Sequence, residues 1–172
     1  MGVFVALLRA VNVGGTGKLP MADLKSMCLD AGFTNVRTYI ASGNVVFGSK
    51  LAAAKVKATL EKKLLAYAGK PVGVLLRTPE EMAAVLKANP FPNAAPNRLI
   101  VVFLDDAMPD GWRTRVKGLK DEKLHAHGTE LFVHYGDGMG QSKLSIPDAK
   151  TGTGRNLNTV AKLAEMAAEQ PG

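Results

Sequence analysis

Six consecutive apolar residues, Val3–Leu8, end at a glycine-rich segment. A continuous apolar run of that length, closed by turn residues, predicts a buried strand. After Pro20 the period changes. Leu24, Met27, Cys28 and Ala31 follow the i, i+3, i+4, i+7 spacing of one buried helix face, and Gly32 is placed to stop that helix. Two β-rich runs, VRTYI and VVF, flank Ala41-Ser42-Gly43-Asn44 and read as a hairpin. A second helix is expected from about Leu51 to Ala68, with Ala53, Val56, Leu60, Leu64 and Tyr67 on one stripe and Gly69 at its end. Pro71–Leu76 is expected to be a fourth strand, and a helix is expected over about Pro79–Ala88.

The stretch NPFPNAAPN interrupts every period and is the best boundary candidate. Beyond it the theme returns. Leu99–Leu104 predicts a strand and Pro109–Lys117 a helix. Lys123–His127 and Glu130–Tyr135 flank Gly128-Thr129 as a hairpin, Lys143–Ile146 predicts a short strand, and Leu157–Ala168 carries the stripe Val160, Leu163, Ala164, Ala167 of a last helix. The expected class is α+β: two ferredoxin-like (alpha-beta plait) units in tandem, βαββαβ followed by a βαββ(β)α unit. Residues 1–78 form the first unit in this reading. Residues 79–172 form the second, with a linker helix at its start.

Composition changes this picture little. The 172 residues are 47% hydrophobic and 22% charged, an ordinary globular balance. The formal charge of +7 favours anionic partners, and it is dispersed rather than gathered in an arm. One cysteine, Cys28, allows no internal disulfide and falls on a helical stripe, which reads as a small buried hydrophobe. The leading apolar run is too short for a signal-peptide core, and no run approaches a membrane span, so a cytoplasmic protein is expected.

Charge and glycine make Arg9–Pro20, RAVNVGGTGKLP, the first candidate site. A Walker A loop would need glycine where Asn12 stands and a hydroxyl where Leu19 stands; a dinucleotide fingerprint from Gly15 would need glycine at Pro20. What survives is a glycine-rich turn, Lys18 and a following helix N-terminus, a set suited to an anion. At the far end, GTGRNLNTV places Arg155 before a helix whose first turn holds Asn156, Asn158 and Thr159. Ordinary capping accounts for part of that set, and an arginine beside a helix N-terminus also suits a phosphate or carboxylate. The loop GDGMGQSK holds three glycines before Ser142 and Lys143.

Three histidines raise a metal. With Gly128-Thr129 as a two-residue turn, His127 faces Glu130 and His125 faces Phe132, so His125, His127 and His134 share one sheet face, read as polar and solvated. His127 and His134 would then lie about 13 Å apart along the strands, too far to share an ion, and no metal site is expected. The ferredoxin-like order also raises RNA binding. The third strand, SGNVVFGS, supplies one aromatic, Phe47; Arg37 and Tyr39 offer a minimal platform on strand two. No nucleophile–base set with recognisable spacing is present, so catalysis is left open.

Taken together, FVALLRAVNVGG, MADLKSMCLDAGFTNVRTYIASGNVVF, NPF, QSKL and RNLNTVAKLAEM resemble the bacterial domain-of-unknown-function family DUF1697, over nearly the full chain. The resemblance implies a pair of α/β plaits and supplies no chemistry. Its polar signature falls on Arg9, Asn12, Gly14, Gly15, Ser42, Gly43, Asn44, Ser142, Lys143, Arg155, Asn156, Asn158 and Thr159. Two positions depart from the family's pattern: Ala10-Val11 stands for Gly-Ile, and Leu157 stands for a tryptophan.

The resulting expectation is a protein that binds a small anionic ligand, a nucleotide or phosphorylated metabolite, in a cleft between its two halves. Arg9, Lys18, Lys143 and Arg155 would neutralise charge; Asn12, Ser42, Asn44, Ser142, Asn156 and Asn158 would orient the ligand; Gly14 and Gly15 would let the backbone approach. The alternatives are a nucleic-acid binder using the dispersed basic surface, and an enzyme of unknown reaction. No cofactor is indicated, no membrane partner is expected, and a monomer is favoured.

Overall fold

A computed structural model describes residues 2–9, 18–136 and 139–171. Among these are eight strands and four α-helices. They run β1 (Gly2–Leu8), α1 (Met21–Asp30), β2 (Thr34–Thr38), β3 (Asn44–Ser49), α2 (Ala53–Ala68), β4 (Val74–Arg77), α3 (Pro79–Lys87), β5 (Leu99–Phe103), β6 (Lys123–His127), β7 (Glu130–His134), β8 (Thr153–Asn156) and α4 (Leu157–Glu169). The class is α+β, built on two four-stranded antiparallel sheets with orders β2-β3-β1-β4 and β6-β7-β5-β8. Two compact units result: Met1–Ala83 with Lys162–Gly172, and Ala84–Ala161.

In the first unit, strand alternation sends Phe4, Ala6, Leu8, Val36, Val45, Phe47 and Val74 to one face. There they meet Leu24 and Cys28 of α1 and Val56, Leu60 and Leu64 of α2, the stripes expected from period. Phe33 stacks on Phe47 with ring centroids 4.4 Å apart. Burial pushes the Cys28 thiol up to about 12, so it stays protonated and inert. The opposite face carries Val5, Leu7, Val46 and Leu75, also buried, which explains why β1 reads as a continuous apolar run rather than an alternating one.

The two edges of this sheet are treated differently. Arg9 N–H donates to the Gly73 carbonyl at 2.9 Å, which fixes the alternation of the β1–β4 ladder and turns the backbone groups of Val74 outward. Two side chains of α2 meet them: Lys57 Nζ donates to the Val74 carbonyl, and Val74 N–H donates to Glu61 Oε2 at 3.2 Å. A polar clamp of this kind closes a sheet edge against stray pairing.

In the second unit Leu131 and Val133 pack with Leu104 and Trp112 on one face, backed by Leu124, Ala126 and Tyr135. The β6–β7 register pairs His127 with Glu130 and His125 with Phe132, as the two-residue turn requires. The histidine-bearing face, however, is not the solvated surface expected. Leu99, Val101 and Phe103 of β5 lie on it in register with His134, Phe132 and Glu130, and these three and Phe132 are fully buried. The exposed positions of this face, Lys123, His125 and His127, stand on the edge strand β6.

Two further expectations are corrected. Pro109–Lys117 forms no α-helix; a 3-10 turn over Trp112–Arg115 takes its place. Gly111 enters that turn with φ +75° and Val116 leaves it extended, so the backbone cannot continue helically. Lys143–Ile146 is not a sheet strand. Ser145 makes a single bridge to Lys117, and the strand pairing with β5 is instead Thr153–Asn156, a polar segment with no alternation to announce it.

Candidate functional site

At the end of β1 the chain brings distant residues together within the first unit. Leu8 N–H donates to the Gly43 carbonyl at 2.9 Å, while Arg9 N–H takes the Gly73 carbonyl. Arg9 therefore leaves the sheet with the β2–β3 turn on one side and the start of β4 on the other. A Cβ added to Gly73 would sit 3.6 Å from Arg9 Cβ and 3.7 Å from its Cδ, so the arginine stem runs over this glycine. The turn itself is rigid. Asn44, fully buried, donates through Nδ2 to the Tyr39 carbonyl at 2.9 Å and to Ser42 Oγ at 2.8 Å. Gly43 adopts φ +88°, a left-handed conformation that favours glycine. Asn44 thus builds the turn that holds Ser42, and Gly43 of that turn pairs with Leu8, the residue before Arg9. Lys18 is exposed where the described chain resumes. Asn12, Gly14 and Gly15 lie outside the described residues.

The remaining candidates stand in the second unit. Arg155 is 6% exposed, with Nη1 donating to Thr153 Oγ1 at 2.6 Å and to the Gly154 carbonyl at 3.0 Å. Burial lowers its guanidinium to about 10, so it remains charged at neutral pH. Asn156 caps α4: Thr159 N–H donates to its Oδ1 at 2.9 Å. Asn158, in the first turn of the same helix, is exposed. An Asn156→Ala variant is expected to lose about 1 kcal/mol in urea unfolding, with Asn156→Asp retaining most of it because an acceptor remains at the helix N-terminus. Equal stability of all three proteins would contradict the cap.

Ser142 donates its hydroxyl to Glu122 and accepts Leu144 N–H at 3.2 Å, while Lys143 is exposed. Glu122 is a residue that sequence pattern does not single out. It also accepts Lys120 N–H at 2.7 Å, and the Ser142 hydroxyl holds its carboxyl below the ordinary range. Nothing in its neighbours along the chain marks it, because its partner lies 20 residues away.

Phe47, the lone aromatic of the third strand, and Arg37, half of the expected platform with Tyr39, are both engaged elsewhere. Phe47 is fully buried beneath the helices. Arg37 donates from Nη2 to the Met166 carbonyl and to Gln170 Oε1, holding the end of α4. Among the described residues no group of three or more His, Cys, Asp or Glu side chains is arranged to hold a metal ion, and no helix is long and apolar enough to cross a membrane.

Comparison with curated proteins gives no match. Among solved structures the chain is similar to the conserved bacterial protein SP0830 from Streptococcus pneumoniae, with 23% identity, coverage of 98% of this chain and 99% of that one, and a TM-score of 0.77. At that identity the likeness speaks to the fold. The family described as protein of unknown function (DUF1697) matches residues 1–132, and the chain belongs to that family.

Proposed function

We propose that the protein binds a small anionic ligand, a nucleotide or phosphorylated metabolite, at the end of β1 where Arg9 emerges beside the Ser42–Asn44 turn. The supporting observation is the pair of backbone hydrogen bonds from Leu8 and Arg9 to Gly43 and Gly73. They tie the backbone at the end of β1 to the β2–β3 turn and to the segment before β4, which supports reading Arg9 and Ser42 as parts of one site. Strand order 4-1-3-2 within a βαββαβ succession supports reading this unit as a ferredoxin-like plait. Arg9 supplies bidentate charge-assisted hydrogen bonds, Ser42 an orienting donor and Lys18 a further cation. Asn44 serves by holding the turn. In the second unit Lys143, Arg155 and Asn158 are the corresponding candidates, with Asn156 and Ser142 supporting them.

A thermal-shift screen across nucleotides and phosphorylated metabolites tests this. At least one compound is expected to raise the melting temperature of the wild-type protein by several degrees, as saturating ligand does by mass action. Arg9→Ala is expected to abolish that shift and to leave the unliganded melting temperature within about a degree. A screen without a hit, or a hit unaffected by Arg9→Ala, would overturn the reading.

A further inference from the structure

The edge of the first sheet opposite β4 is β2, and around Thr38 no clamp like that of Lys57 and Glu61 is present among the described residues. Tyr39 N–H donates to the Asn44 carbonyl at 3.0 Å, which places Tyr39 and Arg37 in hydrogen-bonded register with β3. Thr38 lies between them, so its N–H and C=O face away from the sheet. They open on a depression of about 450 Å3 lined by Lys25, Arg37, Tyr39, Lys162, Met166 and Glu169, with Val36 and Thr38 of β2 as its floor. All of these residues belong to the first unit.

Three cations from three elements, α1, β2 and α4, therefore flank an open strand edge, against the single lining carboxylate of Glu169. Arg37 is held rigid by Gln170 and the Met166 carbonyl, with Glu169 Oε2 3.8 Å from its Nη1. Lys162 pairs with the exposed Glu165 at 3.6 Å along its own helix. Such surface pairs are weak and exchange readily for an incoming carboxylate. Further along β2, Gln170 Nε2 donates to the Asn35 carbonyl at 2.7 Å, which confines the open stretch to the neighbourhood of Thr38.

We infer that this edge is a docking surface for a short, extended, acidic peptide segment of a partner protein. The segment exchanges one pair of main-chain hydrogen bonds with Thr38 and sets its carboxylates beside Lys25 and Lys162. Main-chain pairing fixes direction and register, and the charges supply selectivity and rapid encounter. The site is separate from the Arg9 end of the sheet, and its failure would leave that proposal untouched.

The test uses the full chain and a fluorescein-labelled pentapeptide alternating glutamate and valine, read by fluorescence anisotropy at low salt. Saturable binding that weakens with added salt is expected. Combined replacement K25A and K162A should weaken it about tenfold while leaving the melting temperature unchanged. The same peptide methylated on its central backbone nitrogens should lose most of its affinity, since it cannot complete the ladder. Absence of binding would overturn the inference. So would equal binding by the methylated peptide, displacement by inorganic phosphate at equal charge concentration, or self-association of the chain blocked by the same two replacements. These outcomes would identify a purely ionic contact, a small-anion site or a second copy of this chain.

Discussion

Replacing Gly118 with alanine is expected to destabilise the protein by about 3 kcal/mol, combining a left-handed backbone cost of about 1 kcal/mol with a forced backbone displacement of about 2 kcal/mol. Gly118 adopts φ +72°, and a Cβ there would lie 2.1 Å from the Lys143 carbonyl oxygen and 2.7 Å from its carbon. The obstacle is backbone, so no side-chain rotation relieves it. The backbone is also held from both sides: Lys117 N–H donates to the Ser145 carbonyl at 2.9 Å and Ser145 N–H to the Lys117 carbonyl at 2.8 Å. To admit the methyl group, this pair of bonds must open, and the segment carrying Ser142 and Lys143 must move. Gly69 is the control. It adopts φ +74° at the end of α2, but a Cβ would meet nothing within 4 Å. Gly69→Ala should therefore show the conformational cost alone, about 1 kcal/mol. Urea denaturation of both variants decides the matter. Equal losses would mean that the close approach of Gly118 to Lys143 contributes nothing.

Phe47→Ala is expected to cost more, about 3–5 kcal/mol, as large-to-small changes at fully buried aromatic positions do. The ring is fully buried, stacked at 4.4 Å on Phe33 and tilted at 6.0 Å to Phe4. Alanine leaves a void between the helices and the central strands β1 and β3, which are paired on both sides and cannot collapse inward. Phe47→Leu keeps most of the volume and should lose about 1.5 kcal/mol. The same pair of variants bears on RNA recognition. A ring buried to this degree cannot stack on a base, so any residual polynucleotide affinity should be the same in Phe47→Leu and wild type. A loss of less than 1 kcal/mol in Phe47→Ala would contradict the central place given to this ring.

Much of the first unit is legible in the chain because its signals are local. The stripes Leu24–Cys28 and Val56–Leu60–Leu64 have helical period, and Gly69 stops its helix in the left-handed conformation that such positions favour. The Gly128-Thr129 turn fixed the β6–β7 register residue by residue, since a two-residue loop leaves no freedom of pairing. The candidate site was legible as a set of residue types. It was not legible as a division of labour. Asn44 and Asn156 look like ligand contacts in the sequence, yet one staples a turn and the other caps a helix. An amide side chain carries the same donors and acceptors for either task, and only its surroundings choose between them.

Local pattern, then, determined the helices of the first unit, the hairpins and the glycine that ends α2, Gly69. Tertiary structure alone decided that Thr153–Asn156 pairs as a strand, that Glu122 holds Ser142, and that Leu8 pairs with Gly43 and Arg9 with Gly73. The physical reason is range. Periodicity and turn chemistry act within a few residues, whereas a ladder partner or a buried hydrogen bond can come from anywhere the folded backbone brings within 3 Å.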